Sequence, residues 1–184
     1  VQQHWIKEVF EKRFKIKNIK VAIPEYVEKI VSEKYNFESN KNHFFYPSFP
    51  RSLKNHEAIL EAIKLLPKNI SEQTQFHFTT IKDSKEKYAQ FLVKEYSFLE
   101  NVHFYGKVNR NQLLSMYNAM DCLLFPSKIE TWGLPISESK AYNKPMFLAN
   151  LSYAKEACGN YEKVSFFDEN NAAELAKLIT EFVE

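Results

Sequence analysis

Glycine is scarce in this sequence. There are three, Gly106, Gly133 and Gly159, and none lies near another. A G-x-G-x-x-G dinucleotide fingerprint and a Walker loop both need glycines packed within a few residues, so both are excluded. A phosphate-binding site here has to be built from helix N-termini and side chains. Cysteine is rarer still. Cys122 and Cys158 lack metal-ligand spacing, and Cys122 lies in an apolar run that favours a buried free thiol over a disulfide. Cytoplasmic residence is the expectation that follows. No apolar run approaches the roughly 20 residues that span a bilayer, and the first residues do not form a signal peptide. Charge of one sign is not in excess either: the formal net charge of +2 gives no electrostatic argument for nucleic acid.

What is present is apolar and periodic. With 184 residues and 45% hydrophobic content, the chain can bury one good core. It starts with Val rather than Met, which leads to the expectation of a piece of a longer protein. Short apolar runs alternate with helical patterns. HFFYPSF (43–49) reads as a strand stopped by Pro47 and Pro50, and Leu53 to Leu66 as the helix behind it, ended by Pro67. FHFTT (76–80), NVHFYG (101–106), CLLFP (122–126), PMFLA (145–149) and VSFF (164–167) are the further strands. Asp83 with Glu86, Asn109 with Gln112, and Asn171 with Glu174 are capping-box-like starts for three helices. Strict alternation with short connections predicts an α/β fold with a doubly wound parallel sheet.

The first forty residues differ. WIKEVFEKRF predicts an amphipathic helix with Trp5, Ile6, Val9, Phe10 and Phe14 along one side, and IKVAIP (19–24) a strand. The segment from Glu25 to Lys41 is polar and poorly periodic and reads as a linker with little order. The basic side of the helix suits an anionic lipid surface. A solvated face, or a face meeting another domain, explains it more simply.

In open parallel sheets the ligand sits beyond the carboxyl ends of the strands. The residues leaving those ends are Pro50 to Lys54, Thr79 to Asp83, Gly106 to Asn109 (with Lys107 and Val108 among them), and Pro126 to Glu138. Arg51 and Lys54 are cations at a helix start, an unfavourable place unless an anion lies between them and the helix. The stretch FPSKIETWGLPISES (125–139) leaves a strand, turns at Gly133 and opens a helix with Pro135 near its start. Its first amides, around Gly133 and Leu134, are free to meet a phosphate. Glu130 and Glu138 flank that turn with seven residues between them, and Thr131 and Trp132 lie inside it. A carboxylate is a good acceptor for vicinal hydroxyls. Phosphate amides between two such acids describe a nucleotide-sugar, with ribose on one side and hexose on the other. Taken alone, Glu138 is an ordinary helix-start acid and Glu130 a solvated loop acid.

Together these residues resemble the donor-binding half of retaining GT-B glycosyltransferases. The likeness runs through NVHFYGKV, LLSMYNAMDCLLFPSKIETWGLPISESKAYNKPMFLANLSYAKEACGN and VSFFDENNAAELAKLI. PS-x-x-E-x-x-G-L-P-x-x-E is similar to that family's Glu-x7-Glu signature, and FFYPSFPRSLKNHEAILEAI to its first strand and helix, with Lys54 on the pyrophosphate-binding lysine. The resemblance implies residues 41–184 as a nucleotide-sugar-binding, Rossmann-like domain, the C-terminal half of a GT-B fold. Residues 1–40 would be the tail of the acceptor domain and the linker. It further implies a hexosyltransferase-type enzyme that takes a UDP- or GDP-sugar and passes the sugar to a glycan or lipid-linked acceptor in surface polysaccharide biosynthesis. No cofactor is implied, the nucleotide-sugar being a substrate. Glu130 and Lys54 would serve catalysis; Arg51, Gly133, Leu134, Glu138, Thr131, Trp132, Lys107 and Val108 would bind the donor. Peripheral contact with the inner face of a membrane would belong to the whole protein, and the present chain alone is expected not to transfer sugar. No D-x-D occurs, so a metal route to diphosphate stabilisation is not suggested. The sequence departs from the family where Ser48 and Phe49 replace its usual glycine and arginine, with Arg51 displaced from that position. Thr79 and Thr80 replace its usual glycines after the second strand. A non-catalytic nucleotide-sugar-binding subunit, or a GT-B-like epimerase or phosphorylase, are the alternative readings.

Overall fold

The structure is a computed structural model that describes residues 1–24, 31–37, 40–79 and 85–184. Among the described residues, six short strands form one sheet: β1 (Asn42–Tyr46), β2 (Thr74–Phe78), β3 (Val102–Phe104), β4 (Cys122–Phe125), β5 (Met146–Ala149) and β6 (Val164–Phe167). All pairings are parallel and the order is β3-β2-β1-β4-β5-β6. The expected doubly wound α/β fold is therefore the one found. From β1 the chain winds to one edge, and from β4 to the other. The order reverses between β1 and β4, which opens a crevice beyond their carboxyl ends.

Parallel strands covered by helices on both faces carry continuous apolar runs, and these do. Phe44, Phe45 and Tyr46 of β1 and Leu123, Leu124 and Phe125 of β4 are almost completely buried. The helices are α1 (His4–Phe14), α2 (His56–Lys64), α3 (Lys68–Ser71), α4 (Lys87–Tyr96), α5 (Arg110–Ala119), α6 (Leu134–Ala141), α7 (Ser152–Cys158) and α8 (Ala172–Val183). Asn109 caps α5 by accepting from the Gln112 amide at 2.9 Å, and Asn171 caps α8 by accepting from the Glu174 amide at 3.1 Å. Asp83 lies outside the described residues, as does Thr80; α4 starts at Lys87, directly after Glu86. Helices α3 and α7 are short and carry no long apolar period, and the sequence did not announce them. Cys122 and Cys158 are both free and buried, and burial pushes the Cys122 thiol up. Among the described residues, no helix is long and apolar enough to cross a membrane.

The N-terminal segment departs from expectation. Helix α1 forms, but Val9, Phe10 and Phe14 are exposed and only Trp5 of that side packs against the core. No strand forms over 19–24; the Ala22 amide instead donates to the Val1 carbonyl at 2.8 Å. Within the expected linker, residues 31–37 rest on the core through the partly buried Val31, Tyr35 and Phe37. Tyr35 donates to the Ser115 carbonyl at 3.0 Å, and Asn118 donates to the carbonyls of Val31 and Ser32. The Phe37 ring stacks on His43 and His77. An extended run buries its aromatic residues without helical periodicity, so the sequence shows no period there.

Burial gives this fold an acid-sensitive side. His77 is pushed down to about 2 by burial, with His103 and His43 adding repulsion. His56 is pushed down to about 3 by burial, with Lys54 opposing its charge. Below the ordinary histidine value of 6.5 the unfolded chain binds protons that the folded chain refuses. Stability is thus full above that value and falls as pH drops towards the folded values. Each histidine should cost roughly 1 kcal/mol between pH 7 and pH 5.5. Chemical denaturation at the two pH values checks this, and the loss should shrink in His77→Gln.

Candidate active site

The turn after β1 and the loop after β4 meet at the crevice. Beyond Tyr46 the chain passes through Pro47 to Arg51, makes a 3-10 turn at Ser52–Lys54, and enters α2 through Asn55, whose φ is +57°. The Tyr46 hydroxyl donates to the Lys54 carbonyl at 2.6 Å and fixes that turn. Asn55 donates to the carbonyls of Pro126 and Glu169, and the Lys128 amide donates to the Leu53 carbonyl at 2.9 Å. Tyr153 ties down the same loop by donating to the Ser127 carbonyl at 2.6 Å. These bonds bring Lys54 and Glu130 together: Nζ lies 2.5 Å from Oε1, and both side chains are largely shielded. Glu130 is therefore a paired, half-buried acid rather than a solvated one.

Gly133 makes the corner into α6. Its φ is +88°, and an added Cβ would meet Ile136 Cδ1 at 3.2 Å, so a side chain is opposed by both backbone and space. Pro135 occupies the second helical position and brings no N–H. The Ile136 amide bonds back to the Gly133 carbonyl at 2.9 Å. The amides of Gly133 and Leu134 are what remains for an anion. Glu138 is the fifth residue of α6, one residue deeper than a helix opening at Pro135 would put it, and is buried with 4% exposure. Its Oε1 accepts from Arg110 Nη1, while the Arg110 side chain stays half exposed.

Trp132 is buried, and its indole N–H donates to Ser137 Oγ at 2.9 Å. From the far end of the chain, the fully buried Gln3 amide donates to the carbonyls of Trp132 (3.3 Å) and Tyr153 (2.9 Å). Glu156 of α7 seats the start of α1 by accepting from the His4 amide at 2.7 Å.

These elements enclose a cleft of about 610 Å³. Lys54, Glu130, Thr131, Trp132, Gly133, Leu134 and Glu138 all line it. Lys107 and Val108 line a smaller groove beside it, joined to the cleft through Pro47, Ser48, Phe49 and Leu113. Arg51 stands apart: it is exposed and lines neither space. Several lining residues were missed by sequence reasoning, Phe49 and Arg110 among them. Phe49 was noted only as a departure from a pattern. Arg110 carried a usable signal, because the Asn109 cap places it at the first position of a helix that follows a strand end.

A six-stranded parallel sheet with a cleft at its switch point that holds two acids and two cations defines a Rossmann-like domain of the kind found in GT-B glycosyltransferases. The chain matches the family described as Glycosyl transferases group 1 over residues 27–184 and belongs to it. A curated relative, an uncharacterized 41.2 kDa protein in the cps region of Klebsiella pneumoniae, is 27% identical over 125 residues, covering 66% of this chain and 32% of that protein. Sucrose-phosphate synthase from Thermosynechococcus elongatus shares the fold with a TM-score of 0.78 at 17% identity, over 98% of this chain and 48% of that one. HepE from Anabaena, solved in complex with UDP-glucose, superposes with a TM-score of 0.67 at 19% identity, over 79% of this chain and 40% of that one. The chain thus spans less than half the length of each of these relatives.

Proposed function

We propose that this chain is the C-terminal, donor-binding domain of a retaining hexosyltransferase. In this reading it binds a UDP- or GDP-sugar, and the whole protein passes the sugar to a glycan or lipid-linked acceptor in surface polysaccharide biosynthesis at the cytoplasmic side of the membrane. The observation that carries the reading is the pairing pattern in one cleft. Two acids, Glu130 and Glu138, stand on either side of the α6 start, each held by a cation, Lys54 and Arg110. The relative from a cps region and the UDP-glucose complex of a structural neighbour support it from outside the chain.

The chemistry follows from that arrangement. The diphosphate lies over the amides of Gly133 and Leu134, where the α6 dipole favours negative charge. Lys54 neutralises the charge that develops as the sugar leaves, a preorganised role that calls on no metal. Glu138 accepts from the ribose hydroxyls, and Glu130 grips the hexose and so orients its anomeric carbon. Glu138→Gln should weaken UDP or GDP about tenfold. It should also remove most of the preference for ribose over 2′,3′-dideoxyribose. Calorimetric titration with both nucleotides tests this, and an unchanged preference would remove Glu138 from the ribose site.

A further inference from the structure

The charges lining the cleft leave a question that the proposed donor site does not answer. Among the described residues, its charged lining is Lys54, Arg110, Glu130 and Glu138, which sums to no net charge. A nucleoside diphosphate brings several negative charges, and Lys54 is already in contact with Glu130 at 2.5 Å. One shared lysine and two amides are a thin counterweight to a diphosphate. Arg51 lies outside both spaces, and Lys107 lines only the neighbouring groove.

We infer that Arg110 is the second phosphate-binding cation of this site, contacting the phosphate attached to the ribose, while Lys54 takes the phosphate attached to the sugar. The inference rests on the donor-site reading above. Its geometry comes from two adjacencies. Arg110 touches Glu138, the ribose acceptor of that reading, and ribose is bonded directly to the first phosphate. Lys54 touches Glu130, the acid assigned to the sugar, and the sugar is bonded directly to the second phosphate. Arginine suits the first place. Its rigid guanidinium carries five donors on more than one edge, so one edge can hold a carboxylate while another meets a phosphate. Half of the Arg110 side chain is exposed against 5% of Glu138, so the arginine is the member of the pair within reach of a ligand. Its helix follows the carboxyl end of β3, and α5 packs against β1, so this cation lines the same cleft as Lys54.

The test uses the full-length protein titrated with uridine, UMP and UDP, and with the guanosine series in parallel. Arg110→Gln should weaken the monophosphate and the diphosphate alike, each about tenfold or more, and leave the nucleoside within about threefold. Lys54→Ala should weaken only the diphosphate. Because Arg110→Gln leaves the buried Glu138 carboxylate without its cation, the same comparison is made in Glu138→Gln, where that burden is gone. The phosphate-dependent loss should persist there. Arg110→Lys, which keeps a cation beside Glu138, should fold normally and lose about threefold for both phosphorylated ligands. Equal losses for nucleoside, monophosphate and diphosphate would overturn the inference, since they would show Arg110 acting through Glu138 alone. So would a loss that vanishes in the Glu138→Gln background, or a larger phosphate-dependent loss from Arg51→Gln. If Lys54→Ala selectively weakens the diphosphate but Arg110→Gln changes nothing, the inference falls and the donor site stands. If neither series binds to the wild-type protein, both fall.

Discussion

Glu130→Gln in the full-length protein is expected to cut sugar transfer by about two orders of magnitude or more, roughly 3 kcal/mol of barrier. Plain UDP or GDP should bind as well as before, or more tightly. The first half follows from the proposed grip of Glu130 on the hexose: losing it misplaces the anomeric carbon, and misplacement falls on turnover as well as on binding. The second half follows from the ion pair. Removing the carboxylate charge releases Lys54 from a neighbour 2.5 Å away and leaves its charge for the diphosphate. A solvated loop acid would show neither effect. Steady-state kinetics beside calorimetry decides the matter. If plain nucleotide affinity falls as far as transfer does, Glu130 belongs to the nucleotide and not to the sugar.

Lys54→Ala is expected to weaken nucleoside diphosphate by about 1.5 to 3 kcal/mol, the range for a charge-assisted hydrogen bond, and to leave the bare nucleoside almost unchanged. The variant also strands the half-buried Glu130 carboxylate without its partner, which costs stability and repels the ligand. The double variant Lys54→Ala with Glu130→Gln removes that second effect. Its diphosphate affinity should lie between those of the wild type and the single Lys54 variant. Calorimetry on the three proteins gives the comparison. Equal losses for nucleoside and diphosphate would mean that Lys54 does not touch the phosphates.

The sheet was legible in the sequence because each strand is a short apolar run between turn residues, and burial on both faces demands such runs. The reversal between β1 and β4 was legible only through the general habit of alternating strands and helices. Its consequence was not. Lys54 and Glu130 are 76 residues apart, and Arg110 and Glu138 are 28 apart. Such partners are chosen by strand order and not by local pattern, so each side chain was readable while its pair was not. The partly buried Tyr35 and Phe37 were missed for a related reason: a segment without helix or strand lying on a core has no period of its own. In α1 the period was real, yet it did not mark a buried face.

Gln3 has a mechanical meaning. The loop that presents Glu130 and Gly133 is fastened at Ser127 by Tyr153 and at Trp132 by a residue 129 positions earlier in the chain. One buried amide holds both the Trp132 and Tyr153 carbonyls, so the seat of α1 and the shape of that loop are coupled. Displacing the residues that enter α1 would break the bond to the Trp132 carbonyl, next to the corner proposed to meet the phosphates. The opening residues of the chain thus act as a strut for a turn they never touch in sequence.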